Sequence, residues 1–219
     1  MLSKFIVGIL GKKTKLRFRE VNYMLVTERQ KENFKNHVAR FMDYGNIKIL
    51  DFKNPKSSNY RIRFLFEEDY CKLHISGDLG ELVATNYNNM TYEGFSDFVN
   101  NVGYFEGKID CHSRDIYTYD EDKARDELKE IIDEYELAES IENWSCHWGK
   151  ESINEFLDDV LEDFDSDRGI GSRGYDVASE IMTDFWETAY YLGKKRTGIL
   201  DLYMLAFKLA MQQIKGEQN

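Results

Sequence analysis

Tyr60-Arg61-Ile62-Arg63-Phe64-Leu65-Phe66, read with the stretch that follows it, decides the fold class of this chain. Tyr60, Ile62, Phe64 and Phe66 alternate with Arg61, Arg63 and Leu65, the period of two that puts one set of side chains on one face of a strand. Glu67-Glu68-Asp69 then reads as a turn, with Cys71, Leu73 and Ile75 as the inward face of a returning strand. Ser76-Gly77-Asp78-Leu79-Gly80 turns the chain again, into Leu82-Val83-Ala84-Thr85. Upstream, Ile47 and Ile49 alternate with Lys48 and Leu50, ahead of the loop Asn54-Pro55-Lys56-Ser57-Ser58-Asn59, which holds the sole proline. The expectation is an antiparallel meander of three to four strands.

On either side of the meander the apolar period lengthens to that of helices. Thr27 with Gln30 forms a capping box, and Phe34, Val38 and Phe41 recur until Gly45, which predicts an N-terminal helix over about 27–43. Thr91 opens a short helix with Phe95, Phe98 and Val99 inward, and a longer one begins near Asp120 with Ala124, Leu128, Ile131, Ile132 and Tyr135 on its inner face. Ser152 and Glu155 cap a helix bearing Ile153, Phe156, Leu157, Val160 and Phe164. Val177, Ile181, Phe185 and Tyr190 line another, and Leu202, Leu205 and Leu209 a last one over about 199–214. Strands first and helices after give an α+β chain: residues 1–118 hold the meander, and residues 119–219 form an acidic, mainly helical region.

Charge is divided the same way. Residues 1–66 carry 15 Lys/Arg against 5 Asp/Glu, and residues 67–219 carry 14 against 35. With 42% hydrophobic and 14% aromatic residues, the chain has enough apolar surface to fold despite 32% charged residues, so the acidity is not that of a disordered tail. Phe5-Ile6-Val7-Gly8-Ile9-Leu10 is too short to span a bilayer, and its basic cluster follows instead of preceding it, so a cytoplasmic protein without membrane association is expected. Three cysteines do not make a disulfide framework.

Several motifs are candidates for chemistry. Cys71 with His74, Cys111 with His112, and Cys146 with His147 offer zinc-ligand types, but strand geometry sends neighbouring side chains apart, so buried or surface roles are expected. Gly169-Ile170-Gly171-Ser172-Arg173-Gly174 has phosphate-loop spacing without the preceding strand of a βαβ unit, and reads as a helix connection. Asp163, Asp165 and Asp167 have calcium-loop spacing, yet Arg168 and Gly174 stand where a glycine and a glutamate are required. Glu106-Gly107-Lys108, with Asp78, Glu81 and Asp97 upstream, matches the carboxylate and lysine set of a metal-dependent nuclease. No cofactor, metal or catalytic residue is expected from these fragments.

The acidic helices weigh more. Asp120 to Asp167 holds 19 Asp/Glu against 4 Lys/Arg with the apolar period intact, so carboxylates cover the outer face of folded helices. The expected partner-binding set is Asp120, Glu121, Asp126, Glu127, Glu130, Asp133, Glu134, Asp158, Asp159, Glu162 and Asp163. Such a surface has the sign and rough spacing of a phosphate backbone. Lys12-Lys13-Thr14-Lys15-Leu16-Arg17-Phe18-Arg19 alternates cations with Leu and Phe, and either pairs with the acidic half or meets an acidic partner. In a chain of net charge −11, direct nucleic-acid binding is the less expected use.

Tyr60 to Phe66, with Leu73-His74-Ile75-Ser76-Gly77-Asp78-Leu79-Gly80-Glu81-Leu82-Val83-Ala84, resembles small phage and prophage proteins of unassigned function that share a strand, a Gly-Asp-x-Gly turn and a second strand. Gly103-Tyr104-Phe105-Glu106-Gly107-Lys108-Ile109 and Ser113-Arg114-Asp115 are similar to the same group, and the resemblance covers about residues 46–130. It implies a phage setting in a host cell and a non-enzymatic inhibitor of host defence, like the anti-CRISPR proteins and other DNA mimics. The expected partner is a host protein with a basic nucleic-acid-binding groove. The alternatives are a metal-dependent nuclease using Asp78, Glu81, Glu106 and Lys108, and a structural or assembly component of the phage.

Overall fold

A computed structural model of the chain describes residues 27–148 and 152–217. The meander has six antiparallel strands in chain order: β1 (Val38–Asp43), β2 (Ile47–Lys53), β3 (Ile62–Glu67), β4 (Lys72–Gly77), β5 (Leu82–Thr85) and β6 (Ile109–His112). Alternation fixes its register. Leu50, Phe64, Ile75 and Leu82 face one another across four strands, as do Phe66, Leu73 and Ala84 across three, and all are buried.

The helix expected over 27–43 is corrected to one turn and a strand. The capping box forms, with the Gln30 amide donating to Thr27 Oγ1 at 3.2 Å and the Thr27 amide to Gln30 Oε1 at 2.8 Å, but α1 (Glu28–Glu32) ends at Asn33. Phe34 turns inward to stack 5.8 Å from Phe52, and residues 38–43 pair with β2 along their whole length. The spacing of Phe34, Val38 and Phe41 misleads because Val38 points to solvent while Ala39 and Phe41 face the core; a full ladder of strand pairing outweighs helix propensity there. Cys71 is also corrected. It sits after a 3-10 turn (Glu68–Tyr70) in the left-handed region at φ 52°, half-buried, outside the strand.

Helix α8 (Ile199–Glu217) covers the inner face of the sheet. Phe207 packs 5.4 Å from Phe64 and 4.8 Å from Phe95, which a second 3-10 turn (Gly94–Phe98) supplies; Phe105 of α2 (Val102–Glu106) closes the cluster, 5.4 Å from Phe95. At its start α8 sends the Tyr203 hydroxyl to the Leu79 carbonyl at 3.0 Å, and burial pushes that phenol up to about 12. At its far end Gln213 accepts from the Ala39 amide and donates to the His37 carbonyl, both at 2.9 Å, occupying the open edge of β1 as a neighbouring peptide would.

Between β6 and α8 the chain leaves this body and builds a second core. A ribbon of β7 (Tyr117–Tyr119) and β8 (Lys194–Arg196) forms the neck, and α3 (Glu121–Glu134), α4 (Ala138–Trp148), α5 (Ile153–Leu161), α6 (Ser172–Ile181) and α7 (Trp186–Ala189) lie between its strands. Leu128, Ile141, Phe156, Leu157, Val160 and Phe185 are buried there. The helix expected through Val177, Ile181, Phe185 and Tyr190 breaks at Met182, whose extended backbone turns Phe185 into the core and leaves Tyr190 exposed. Among the described residues no helix is long and apolar enough to cross a membrane.

The Gly-Asp-Leu-Gly turn has a structural explanation. Asp78 accepts the Tyr60 amide at 2.9 Å and donates its own amide to the Arg61 carbonyl at 2.8 Å, so it braces the entry to β3. Gly77 lies so close to the Arg61 carbonyl that no side chain fits. Asp78→Ala should lower stability by about 1–2 kcal/mol. Asp78→Asn, which keeps the acceptor, should recover most of it, as read from urea midpoints.

Candidate functional site

The eleven acidic residues separate into two groups. Asp120 is the N-cap of α3, accepting the Lys123 amide at 3.0 Å, and takes the Lys195 ammonium at 2.6 Å across the neck; that ammonium first, then the amide, holds its carboxyl below the usual range. Glu127 turns inward and accepts the Gly193 amide at 2.8 Å. Asp158 meets Arg125 at 2.7 Å, Glu162 meets Arg173 at 2.7 Å, and Asp159 is half-buried. The second group, Glu121, Asp126, Glu130, Asp133 and Glu134, lies on the exposed face of α3, with Lys129 3.5 Å from Asp126. Asp122, which the sequence reading left out, continues that face; its four-residue spacing from Asp126 and Glu130 was the available signal. The basic residues 12–19 lie outside the described residues.

Asp163 explains the glycine motif. From the end of α5 it accepts the amides of Arg173 at 2.9 Å and Gly174 at 3.0 Å, capping α6 in place of its own N-cap residue, Gly171, which has no side chain to do so. Burial alone would raise this carboxyl, but the two amides lower it overall. A Cβ on Gly171 would overlap the Asp163 carboxylate, and one on Gly174 the Val160 carbonyl oxygen. The glycines therefore let α5 and α6 approach. Asp165 Oδ1 accepts the amides of Asp167 and Arg168 at 2.9 and 3.2 Å, so the calcium-like spacing is that of a self-bonded turn.

The remaining candidates are held apart. His74 Nε2 lies 3.2 Å from Glu67, His112 Nδ1 lies 2.8 Å from the Arg114 carbonyl, and the side chains of Cys146 and His147 lie outside the described residues. Glu106 accepts the Tyr117 hydroxyl, Lys108 sits 4.7 Å over the Tyr104 ring, Asp97 lies 3.4 Å from Asn89, and Asp78 is engaged at Tyr60. Glu81 donates its amide to Ser113 Oγ at 2.8 Å. Among the described residues no three His, Cys, Asp or Glu side chains are grouped to hold a metal ion.

One cleft went unforeseen. About 580 Å³ in volume, it opens between β6 and the ribbon, lined by Glu106, Asp110, Cys111, His112, Tyr117, Tyr190 and Lys194. Lys194 lies 4.0 Å over the Tyr117 ring and 3.7 Å over that of Tyr190, and Asp110 accepts the Thr85 hydroxyl at 2.6 Å. Lys194 thus joins the two ribbon strands to the helical unit, and the Tyr117 hydroxyl, donated to Glu106, joins the ribbon to the sheet unit. No family model, curated protein or solved structure matches the chain.

Two outcomes follow from the Asp163 cap. Gly174→Ala should lower stability by about 2–3 kcal/mol through forced separation of α5 and α6, measured by urea unfolding. The folded Asp163 carboxyl titrates below its ordinary 3.8, so its contribution is complete above that value and vanishes as the pH falls through the lower folded one. The stability gap between wild type and Asp163→Asn, followed from about pH 6.5 to pH 2.5, should be constant at first and shrink below about pH 4.

Proposed function

We propose that this is a non-enzymatic binding protein whose acidic helical surface occupies a basic, nucleic-acid-binding groove on another protein. The observation that carries the reading is α3: an N-capped helix with a buried inner face, presenting Asp122, Asp126, Glu130 and Glu134 to solvent. Four-residue steps place these carboxylates about 6 Å apart along the helix axis. Packing against α5 fixes the backbone that carries the array, so no main-chain ordering entropy need be lost there when a partner is met. The phage setting, and with it a host nucleic-acid-processing or defence protein as the target, rests on the resemblance of the Gly-Asp-Leu-Gly region alone.

The test is a pull-down from host lysate with the full-length chain, eluted by salt or by duplex DNA. Bound protein should leave with DNA, and its affinity should fall at least about tenfold between 50 and 200 mM salt. The exposed quadruple variant Asp126→Lys, Glu130→Lys, Asp133→Lys, Glu134→Lys should abolish capture. Capture that survives both the salt and the four substitutions overturns the reading.

A further inference from the structure

Thr27, the first described residue, and the acidic helices attach at opposite edges of the six-stranded sheet. Thr27 opens α1, beside β1, while the acidic helices attach past β6 through the ribbon. Five strand spacings separate those edges, about 24 Å. From Asp120, α3 carries the chain on by about 20 Å of helix rise. At its far end Ile131, Tyr135, Leu137, Met182 and Phe185 line an apolar pocket of about 210 Å³, with Glu187 among its lining groups. Asp184 is a second carboxylate there. A dry cavity of about 150 Å³ already admits benzene, so this pocket has room for one large apolar side chain.

An apolar pocket flanked by carboxylates calls for an apolar side chain flanked by cations. Residues 12–19 have that composition: Leu16 and Phe18 set among Lys12, Lys13, Lys15, Arg17 and Arg19, with no acidic residue between. Their reach decides whose pocket they meet. Seven residues lie between Arg19 and Thr27, a span of at most about 28 Å when fully extended, which is little more than the width of the sheet. We infer that residues 12–19 of one copy dock in the α3–α7 pocket of a second copy, with Phe18 or Leu16 inserted and Arg17 and Arg19 facing Asp184 and Glu187. Donor and acceptor surfaces differ, so the contact is head to tail and adds copies without closing on itself.

This interface shares the acidic unit with the proposed function but uses other residues, so each can fail alone. Sedimentation velocity of the full-length chain should show a mass that rises with protein concentration at about 50 mM salt and returns to that of the monomer at about 500 mM. A head variant (Arg17→Glu, Phe18→Ser, Arg19→Glu) and a tail variant (Asp184→Lys, Glu187→Lys) should each be monomeric. Mixed in equal amounts they should form dimers that grow no further, since each supplies the half that the other lacks. Glu187→Lys alone, at an exposed position, serves if the double substitution unfolds the tail variant. A monomer at every concentration, or association that persists in high salt or in both variants, overturns the inference. So do cross-links between residues 12–19 and 184–187 within a single chain of the dilute monomer.

Discussion

The burial of Phe207 is the contact on which the rest of the molecule depends. Its ring meets Phe64 and Phe66 from the sheet and Phe95 from the segment after β5, so one side chain closes three stretches of chain far apart in sequence. Without α8 the inner face of the sheet has no cover, and Gln213 cannot occupy the β1 edge. With α8 in place, its first residue must lie near the end of β6, and the Thr197 amide bonds to the Ile116 carbonyl at 2.9 Å. The neck of the acidic unit is therefore set by packing in the other unit.

Concentrating carboxylates on one small helical body has a cost in self-repulsion, and the fold offsets it locally. Arg125 crosses from α3 to Asp158, Arg173 pairs with Glu162, and Lys195 joins Asp120 at the neck. Asp163 and Glu127 go further, since each replaces a backbone partner that the chain would otherwise lack. What stays outward is the side of α3 opposite Leu128 and Ile132. Acidity in this chain thus has two uses, and burial separates them.

Alternation was readable in β3, β4 and β5, whose inward residues recur at every second position. Phe64 and Phe66, Leu73 and Ile75, and Leu82 and Ala84 all lie where their spacing predicts. The capping residues Thr27 and Ser152 were equally legible, because a cap is a local interaction. What could not be read depends on distant partners. Residues 38–43 become a strand because β2 pairs with them, and β6, too short to show a period, is defined by its contact with β5. At the candidate site, composition revealed the carboxylates but could not tell Glu127, folded onto Gly193, from Glu130, left in water. Only the path of the chain between the ribbon strands separates them.

The late arrival of α8 has a consequence for synthesis. In the chain, 113 residues separate Thr85, the end of the fifth strand, from Ile199, where the covering helix begins. At about 5–20 residues per second, a ribosome needs roughly 6–23 s to make them. Throughout that interval the meander can pair its strands, but Phe52, Phe64 and Phe66 have no helix to rest on. The nascent chain therefore presents a greasy sheet to the cell for seconds at a time, with the acidic helices emerging beside it.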